Sequence, residues 1–348
     1  MYSITLGIIG GGQLGSMLAI AAKKLGVNTI VFCDDRDAPA QNFCNKFIVN
    51  DYNDKQSISE FINQVDVVTY EFENIPYETL NEINKTKNVL PKPSVNRLIQ
   101  HRLAEKDFIN KLNIRTTRYT SIKEKSEIEA LDDFLPGILK TVTLGYDGKG
   151  QYPINSINDL NTLNIEYSKG YILEKLVKLK KEISIIITRF DNLKYEIYEP
   201  IENTHEDQIL KYSKIPAEIS EKIFDQSKKW AIMIAEELKY VGTLCVEFFI
   251  DRNENLYVNE IAPRVHNSGH LTINAYNVSQ FENHIRAVCG MEQVSLKKIS
   301  NAKMVNIIGD QIIPYRGRKN FDKNEFFFDY LKKEIKSKRK MGHITTLI

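Results

Sequence analysis

The chain has 348 residues, of which 42% are hydrophobic and 26% are charged, as in an ordinary globular protein of roughly two or three domains. Its net charge of +2 is too small to favour nucleic acid as a partner. The four cysteines contain no CxxC pair, which gives no zinc framework and predicts a reducing, cytoplasmic compartment. The N-terminus does not resemble a signal peptide, and no apolar run approaches the ~20 residues of a membrane helix, so no membrane partner is expected.

Strands and helices alternate over roughly the first 95 residues, which predicts a parallel sheet with helices on both faces. The first strand leads into GGGQLG at residues 10–15, and an apolar helix then ends at Gly26. The glycine pattern, with Asp34 and Asp35 about 20 residues later, is compatible with a dinucleotide site. It is also compatible with a helix N-terminus that binds another polar ligand, or with a tight turn that needs glycine.

Two acidic residues, Glu71 and Glu73, directly follow a strand of this first unit. The carboxyl ends of parallel strands form the edge at which open α/β sheets bind ligands. The alternative is an acidic helix N-terminus, where carboxylates are favoured by the helix dipole. The proline-rich residues 91–93 are predicted to end the unit.

A helical stretch is predicted over about residues 96–112, and strand-like segments follow it around residues 137–142, 171–177 and 179–200. Lys140 ends one of these strands just before a loop with three glycines in six residues, 145–150. Glycines let backbone N–H groups approach phosphate oxygens, and lysines neutralise their charge. The alternative is a glycine-rich hairpin turn with solvated lysines.

The segment Glu174-Lys175-Leu176-Val177, with Glu182 after it, has the pattern of a strand that could pair with an adenine edge and hold a ribose hydroxyl. From the residues alone, a surface strand with charged flanks is the competing interpretation. His205 is isolated in the sequence, and a structural role is the simplest interpretation for it. A helix is predicted over about residues 219–238.

Two carboxylates, Glu247 and Glu260, lie on the segments TLCVEFFI and LYVNEIAP, and the polar turn DRNEN joins these segments. The alternation predicts an antiparallel hairpin with Glu247 among apolar neighbours. Facing carboxylates repel each other, and hard oxygen ligands favour Mg²⁺ or Mn²⁺. An exposed cross-strand pair is the alternative. The donor-rich run RVHNSGH at residues 264–270 favours a lined cleft instead.

A helix is predicted to end near residues 289–290, and the last ~58 residues are expected to form a small separate unit. Within this unit, residues 322–340 are predicted to be helical. The basic segment 339–343 could bind a phosphate or form a solvated tail.

Together, these segments resemble the ATP-grasp family of N5-carboxyaminoimidazole ribonucleotide synthetases, the ATPase subunit of phosphoribosylaminoimidazole carboxylase. The resemblance runs nearly end to end and is carried by GIIGGGQLG at 7–15, YEFENIP at 70–76, GYDGKGQ at 145–151, YVNEIAPRVHNSGH at 257–270 and RKMGH at 339–343. It implies a mixed α/β and α+β fold: a Rossmann-like pre-ATP-grasp parallel sheet, an ATP-grasp domain and a small β-rich C-terminal unit. The boundaries expected are 1–95, 96–290 with a lid at about 107–175, and 291–348.

The resemblance implies that ATP, bicarbonate and 5-aminoimidazole ribonucleotide become the N5-carboxylated ribonucleotide, ADP and phosphate, with Mg²⁺ or Mn²⁺ as metal and a homodimer as assembly. The implied catalytic residues are Tyr146, Asp147, Lys149, Arg264 and Lys340. The implied ATP-binding residues are Lys106, Lys140, Gly145, Tyr146, Asp147, Gly148, Lys149, Gly150, Gln151, Glu174, Lys175, Leu176, Val177, Glu182, His205, Asn259 and Glu260. The implied substrate-binding residues are Gly12, Gln13, Leu14, Glu71, Glu73, Asn267, Ser268, Gly269, His270, Arg339 and Lys340, and the implied metal ligands are Glu247 and Glu260.

Two positions depart from the family pattern. The family usually has Tyr-Gly-Lys in the C-terminal unit, and residues 315–319, YRGRK, are taken to stand at that place, which leaves the lysine unassigned. The family also usually has arginine where this chain has Lys149, which keeps the charge but loses bidentate phosphate contact.

Three other functions compete with this one. A formate-using glycinamide ribonucleotide transformylase would share the N-terminal sheet but would leave EFEN and RVHNSGH unexplained. A regulatory nucleotide-binding module without turnover would not need Lys140, Glu247 and Glu260. An NAD-dependent oxidoreductase would rest on the glycine pattern alone.

Overall fold

The computed structural model describes residues 4–124, 127, 131–143 and 150–348. The first unit is a four-stranded parallel sheet of order β3-β2-β1-β4, as the alternating pattern predicts. Its strands are β1 (Thr5–Ile9), β2 (Asn28–Cys33), β3 (Lys46–Val49) and β4 (Val67–Tyr70). Its helices are α1 (Gln13–Lys24), α2 (Lys55–Ile62) and α3 (Tyr77–Ile83).

The single helical stretch predicted after this unit is two helices, α4 (Pro93–Ile99) and α5 (Arg102–Lys111). The helix is interrupted before α5, and His101 is the N-cap of α5. The His101 side chain accepts a hydrogen bond from the Ala104 N–H. The break places Arg102 and Glu105 on a new helix that faces the centre of the molecule.

A small antiparallel sheet of order β5-β8-β6-β7 follows. Its strands are β5 (Tyr119–Ile122), β6 (Gly137–Thr141), β7 (Gln151–Ile154) and β8 (Tyr171–Lys175), with helix α6 (Ile157–Thr162) between the last two. It has an apolar cluster of its own that includes Ile122, Leu139 and Leu173. Lys140 and Glu174 lie on the two central strands, two residues apart in register.

The largest sheet has nine strands in the order β14-β13-β9-β11-β12-β15-β17-β16, with β10 also paired to β9. The strands are β9 (Leu179–Arg189), β10 (Tyr195–Ile197), β11 (Ile201–Glu206), β12 (Ile209–Ile215), β13 (Gly242–Asp251), β14 (Leu256–Ala262), β15 (Ala302–Ile308), β16 (Glu325–Asp329) and β17 (Lys340–Leu347). The remaining helices are α7 (Glu221–Glu237), α8 (Thr272–Ala275), α9 (Gln280–Val288) and α10 (Ile312–Gly317). The predicted β13–β14 hairpin is confirmed, as are the helices at α7 and α9.

One expectation for the C-terminal part is wrong. Residues 322–340 are not a helix but contain strand β16, because Glu325–Asp329 pair with β17, where Phe328 stacks on His343. The strands of the C-terminal part continue the central sheet, because β15 pairs with β12.

The main apolar core lies between α7 and the central sheet, where Trp230 stacks on Phe248. A second core packs α1 and α9 together and so fastens the first unit to the central one. No helix in the described part of the chain is long and apolar enough to span a membrane.

Candidate active site

One cleft of about 820 Å³ lies where the three sheets meet. Twenty of the predicted site residues line it: Gly12, Gln13, Leu14, Glu71, Glu73, Lys140, Gln151, Glu174, Lys175, Leu176, Val177, Glu182, His205, Glu247, Asn259, Glu260, Arg264, Asn267, Arg339 and Lys340. Residues far apart in the sequence therefore converge on one cavity, which is the arrangement expected of a site that holds several ligands.

The other predicted site residues fall into two groups. Tyr146, Asp147, Lys149, Gly145 and Gly148 lie outside the described residues. Lys106, Gly150, Ser268, Gly269 and His270 are described but do not line the cleft.

Four residues of the second group lie behind the cleft wall and contact other side chains of the site region. Lys106 is buried behind Glu174, and Ser268 lies 2.8 Å from the Ser184 hydroxyl. Gly269 packs so closely on Gln280 that a Cβ there would clash with it. His270 Nε2 lies 2.7 Å from Gln13 Nε2, so the neutral ring accepts a hydrogen bond from the Gln13 amide. Burial keeps the pKa of His270 well below its ordinary value, which maintains this neutral form.

Glu174 is held between two lysines at one end of the cleft. Its carboxylate lies 3.2 Å from Lys140 Nζ and 3.4 Å from Lys106 Nζ, and it accepts a 2.9 Å hydrogen bond from Thr117. Burial opposes the charge, but the two lysines and Thr117 together lower the pKa of Glu174 to about 2. The shared carboxylate therefore holds two lysines close together at this end of the cleft, and Lys140 lines it.

Residues 175–177 cross from the small sheet to the central sheet along the cleft wall. Farther along, His205 Nδ1 lies 2.7 Å from Glu182 Oε2 on the neighbouring strand. Burial lowers the pKa of His205, but the contact with Glu182 outweighs it and the pKa is raised. His205 thus lies in the cleft as part of a pair, which the isolated residue in the sequence does not reveal.

The hairpin carboxylates Glu247 and Glu260 are cross-strand partners, as the alternation predicts, and a bulge follows Glu247. Each has a basic neighbour: Glu247 lies 3.0 Å from His266 Nε2, and Glu260 lies 3.4 Å from Arg102 Nη1. Burial opposes the charge on Glu247, but His266 holds the pKa of that carboxyl well below its ordinary value. Both carboxylates are in the cleft rather than on a solvated face.

The glycine turn before α1 is occupied by Glu71. The carboxylate accepts hydrogen bonds from the N–H groups of Gly12, at 2.5 Å, and Gly15, at 2.6 Å. A Cβ at Gly10, which has a φ of 98°, would lie 2.6 Å from the Glu71 side chain. The helix N-terminus is therefore already bound to an internal carboxylate, and the glycines are needed for this close approach.

Arg264 forms a two-pronged ion pair with Glu73, through its Nε and through Nη2 at 3.1 Å from Oε1. Burial raises the pKa of Glu73, but the Arg264 guanidinium outweighs it and lowers the pKa. The pair joins the segment after β4 to the segment after β14, so the first unit and the central sheet share one wall of the cleft.

Three domain families match the chain. The ribonucleotide synthetase preATP-grasp domain matches residues 3–100, the ATP-grasp domain matches residues 107–281, and the phosphoribosylaminoimidazole carboxylase C-terminal domain matches residues 302–348. N5-carboxyaminoimidazole ribonucleotide synthase of Brucella melitensis is 39% identical, with 99% of this chain and 96% of that protein covered. The chain belongs to the N5-carboxyaminoimidazole ribonucleotide synthase family.

Solved structures agree with this family. N5-carboxyaminoimidazole synthetase from Staphylococcus aureus complexed with ADP has a TM-score of 0.94 at 37% identity and covers 100% of this chain and 94% of that one. The Aspergillus clavatus synthase in complex with ADP and 5-aminoimidazole ribonucleotide has a TM-score of 0.91 at 27% identity, with 99% of this chain and 94% of that one covered. The predicted family, ATP-grasp fold and enzyme class are confirmed, and the transformylase alternative is not favoured.

Lys332 of the C-terminal unit also lines the cleft, beside Lys340. Its Nζ donates to the Lys340 carbonyl at 2.6 Å and to Gln13 Oε1 at 3.3 Å. Leu331 has a φ of 53°, the left-handed conformation that favours glycine. Tyr330-Leu331-Lys332 thus has the spacing of the Tyr-Gly-Lys segment that the family resemblance implies, with leucine at the glycine position.

Residues 315–319, which the sequence analysis took for the Tyr-Gly-Lys position, do not line the described cleft. Arg316 instead pairs with Asp329, at 2.6 Å, and Arg318 pairs with Glu325, at 3.0 Å, both on β16.

Three further cleft residues were missed. His266 lay inside a quoted motif but was given no role, and its partner Glu247 is on another strand. Arg102 and Glu105 carry no motif and reach the cleft because α5 begins at Arg102. Burial, with the charge of Glu260, raises the pKa of Glu105 to about 8, and its carboxyl accepts a hydrogen bond from the Ile261 N–H. No sequence pattern identifies these two residues.

Proposed function

We propose that this chain uses ATP and bicarbonate to carboxylate the exocyclic amine of 5-aminoimidazole ribonucleotide, releasing ADP and phosphate, in purine biosynthesis. One observation carries the proposal. A single cleft joins the Lys140–Glu174 end, the hairpin carboxylates and the basic residues of the C-terminal unit. A nucleoside triphosphate and a phosphorylated acceptor would lie with their reacting ends together between them.

The ATP end is assigned to the small sheet and the strand that follows it. Lys140 lines the cleft and would offset phosphate charge, with Lys106 buried behind Glu174 in support, and the backbone of residues 175–177 borders the cleft where an adenine edge would lie. Glu182 and His205 lie next to each other where a ribose would be held. The family resemblance also assigns the loop residues Gly145 to Gln151 to this end.

Mg²⁺ fits the hairpin. Glu247 and Glu260 offer carboxylate oxygens on adjacent strands, and the nearby Asn259 has a buried side-chain oxygen with no hydrogen-bond partner. This all-oxygen set suits a hard cation such as Mg²⁺ or Mn²⁺. When bound, the ion would offset the charge of the phosphates during transfer.

The chemistry has two steps. A bicarbonate oxygen attacks the γ-phosphorus, the bond to ADP breaks, and carboxyphosphate forms. Its C–O bond then breaks to give CO₂ and phosphate, and the ribonucleotide amine attacks the carbon and loses a proton. Asp147, which lies outside the described residues, is the candidate base, and the released phosphate is the alternative. Arg264 and Lys340, which line the cleft, are the residues assigned to stabilise the anions, and water must be excluded because carboxyphosphate hydrolyses.

The other assignments of the sequence stay proposals. The domain limits 1–95, 96–290 and 291–348, with a lid at about 107–175, follow from the family resemblance and from the small sheet's separate core. A cytoplasmic location is supported by four free cysteines. A homodimer is proposed from the family, and light scattering of the purified chain would test it.

The decisive experiment measures ADP release from ATP with bicarbonate, with and without 5-aminoimidazole ribonucleotide. Wild type should need both co-substrates, and Glu260→Gln should remove nearly all turnover while the fold is kept. Glu254→Gln, in the exposed turn of the same hairpin, is the matched control and should behave as wild type. ATP binding without turnover would instead indicate a regulatory module, and turnover with formate and glycinamide ribonucleotide a transformylase.

A further inference from the structure

A cysteine, a carboxylate and a histidine meet at the floor of the cleft. Cys245 and Glu247 point to the same face of β13, and His266 follows β14. Among the described residues, these are the three whose Sγ, carboxylate O and ring N atoms all lie within 4.8 Å of one another. Cys245 is fully buried, whereas Glu247 and His266 line the cleft. The cluster is therefore a three-ligand set with one side open to the cleft.

The spacing is close to that of a tetrahedral metal site. Zinc bonds of about 2.3 Å to sulfur and about 2.0 Å to nitrogen or oxygen put ligand atoms roughly 3.3–3.5 Å apart. His266 Nε2 and Glu247 Oε1 are already 3.0 Å apart, and the separations from Cys245 Sγ, which are within 4.8 Å, would close by at most about 1.3 Å. Pairing of β13 with β14 and with β9 fixes the backbone at Cys245 and Glu247. Rotation of the side chains therefore supplies the movement that brings the ligand atoms together.

A chain of hydroxyl groups orients the histidine from behind. His266 Nδ1 lies 2.9 Å from Ser268 Oγ, which lies 2.8 Å from Ser184 Oγ. Asn203 Nδ2 in turn donates to Ser184 at 3.0 Å. Nδ1 also accepts from the Ser268 N–H at 3.4 Å, and metal binding through Nε2 would require the tautomer in which Nδ1–H instead donates to Ser268 Oγ. Metal-binding histidines are held by such outer hydrogen bonds.

We propose that Cys245, Glu247 and His266 bind Zn²⁺, or another thiophilic divalent ion, and that this binding inhibits the enzyme by withdrawing Glu247 from Mg²⁺. Sulfur and imidazole ligands select such ions over Mg²⁺, which prefers oxygen. Binding stands on the geometry alone, whereas inhibition rests on the proposed catalytic role of Glu247.

Cys245 is fully buried and packs in an apolar cluster with Ile186 and Tyr198. A bound cation deprotonates a coordinating thiol, and metal binding here therefore releases a proton.

Cobalt(II) is the probe for binding, because a thiolate ligand gives it a charge-transfer absorption band. Metal-free wild type should develop the band with Co²⁺ and lose it on addition of Zn²⁺. Cys245→Ala and Cys245→Ser should lack the band and bind Zn²⁺ more than ~100-fold more weakly in competition with a chromophoric chelator. Cys289→Ala, at another buried cysteine, is the matched control and should keep both.

Wild type without the band at saturating Co²⁺ would overturn the site, and this result does not depend on how the variants fold. In the ADP-release assay at saturating Mg²⁺, Zn²⁺ should inhibit wild type and Cys289→Ala. Cys245→Ala should keep its Mg²⁺-supported rate and need at least ~10-fold more Zn²⁺ for inhibition. Thiolate-bound zinc that leaves ADP release unchanged would overturn the inhibition and the assignment of Glu247 to Mg²⁺, while the site itself would stand.

Discussion

Replacing Glu174 with glutamine should loosen the small sheet from the rest of the protein. Glu174 on β8 is the shared partner of Lys140 on β6 and Lys106 on α5, and all three side chains are buried. Glutamine keeps the shape and removes the charge, so two buried ammonium groups lose their counter-ion. Uncompensated buried charges are costly, and the cost falls on the contact between α5 and the small sheet.

The magnitude follows from the pKa. A fall from the ordinary 4.5 to about 2 corresponds to about 3 kcal/mol in favour of the ionised carboxylate. Part of this stabilisation is offset in the wild type. Burial and the charge of Lys140 disfavour the charged form of Lys106 and so lower its pKa. The folded-state pKa of Glu174 is depressed, so its contribution is present above pH 4.5 and is lost as the pH falls towards about 2.

Hydrogen exchange of the peptides that cover β6 and β8 is the direct assay. Exchange at neutral pH should be roughly 100-fold faster in Glu174→Gln, the equivalent of about 3 kcal/mol. Lys106→Met added to this variant should restore much of the protection, because one unpaired charge is gone. The control Glu166→Gln breaks an exposed pair with Lys169 and should change nothing. Exchange in Glu174→Gln within about threefold of wild type would refute the reasoning.

Three further predictions concern other parts of the molecule. Leu331→Gly should raise the free energy of unfolding by about 1 kcal/mol in urea, because Leu331 has a φ of 53°; a loss of stability would contradict this. Burial lowers the pKa of His284 to about 3, so stability should fall as the pH drops from 6.5 towards 3; His284→Gln should flatten that slope in acid denaturation, and an unchanged slope would count against it. Lys340→Ala should weaken apparent affinity for 5-aminoimidazole ribonucleotide ~10- to 100-fold and leave that for ATP nearly unchanged in steady-state kinetics, whereas equal losses would indicate a role in the shared reaction centre.

Local patterns predicted the elements whose partners are close in sequence. The β13–β14 hairpin followed from a two-residue period and a polar turn, and its register brings Glu247 opposite Glu260. The parallel sheet followed from alternating strands and glycine-ended helices. The hairpin partners Glu247 and Glu260 are close in the chain, and each strand and helix of the parallel sheet is marked by its own local pattern, so the sequence shows these elements directly.

Features that depend on distant partners were not visible. Glu71 and the glycine turn were each noted, but that the carboxylate fills the turn depends on a contact across 59 residues. The segment 322–340 was predicted as a helix from its charges, whereas pairing with β17 makes part of it a strand. A helix over this segment would also be incompatible with the left-handed backbone conformation of Leu331. This conformation turns the chain so that the next residue, Lys332, reaches the cleft.

The pairing of β12 with β15 has a mechanical consequence. It makes the hairpin of Glu247 and the strand that starts at Lys340 parts of one continuous sheet, whose backbone hydrogen bonds resist large relative movement of the two. Among the described residues, no strand of the small sheet pairs with this central sheet. If the small sheet acts as the proposed lid, closure would move Lys140 and Glu174 relative to Glu247 and Lys340 while the spacing between Glu247 and Lys340 is kept.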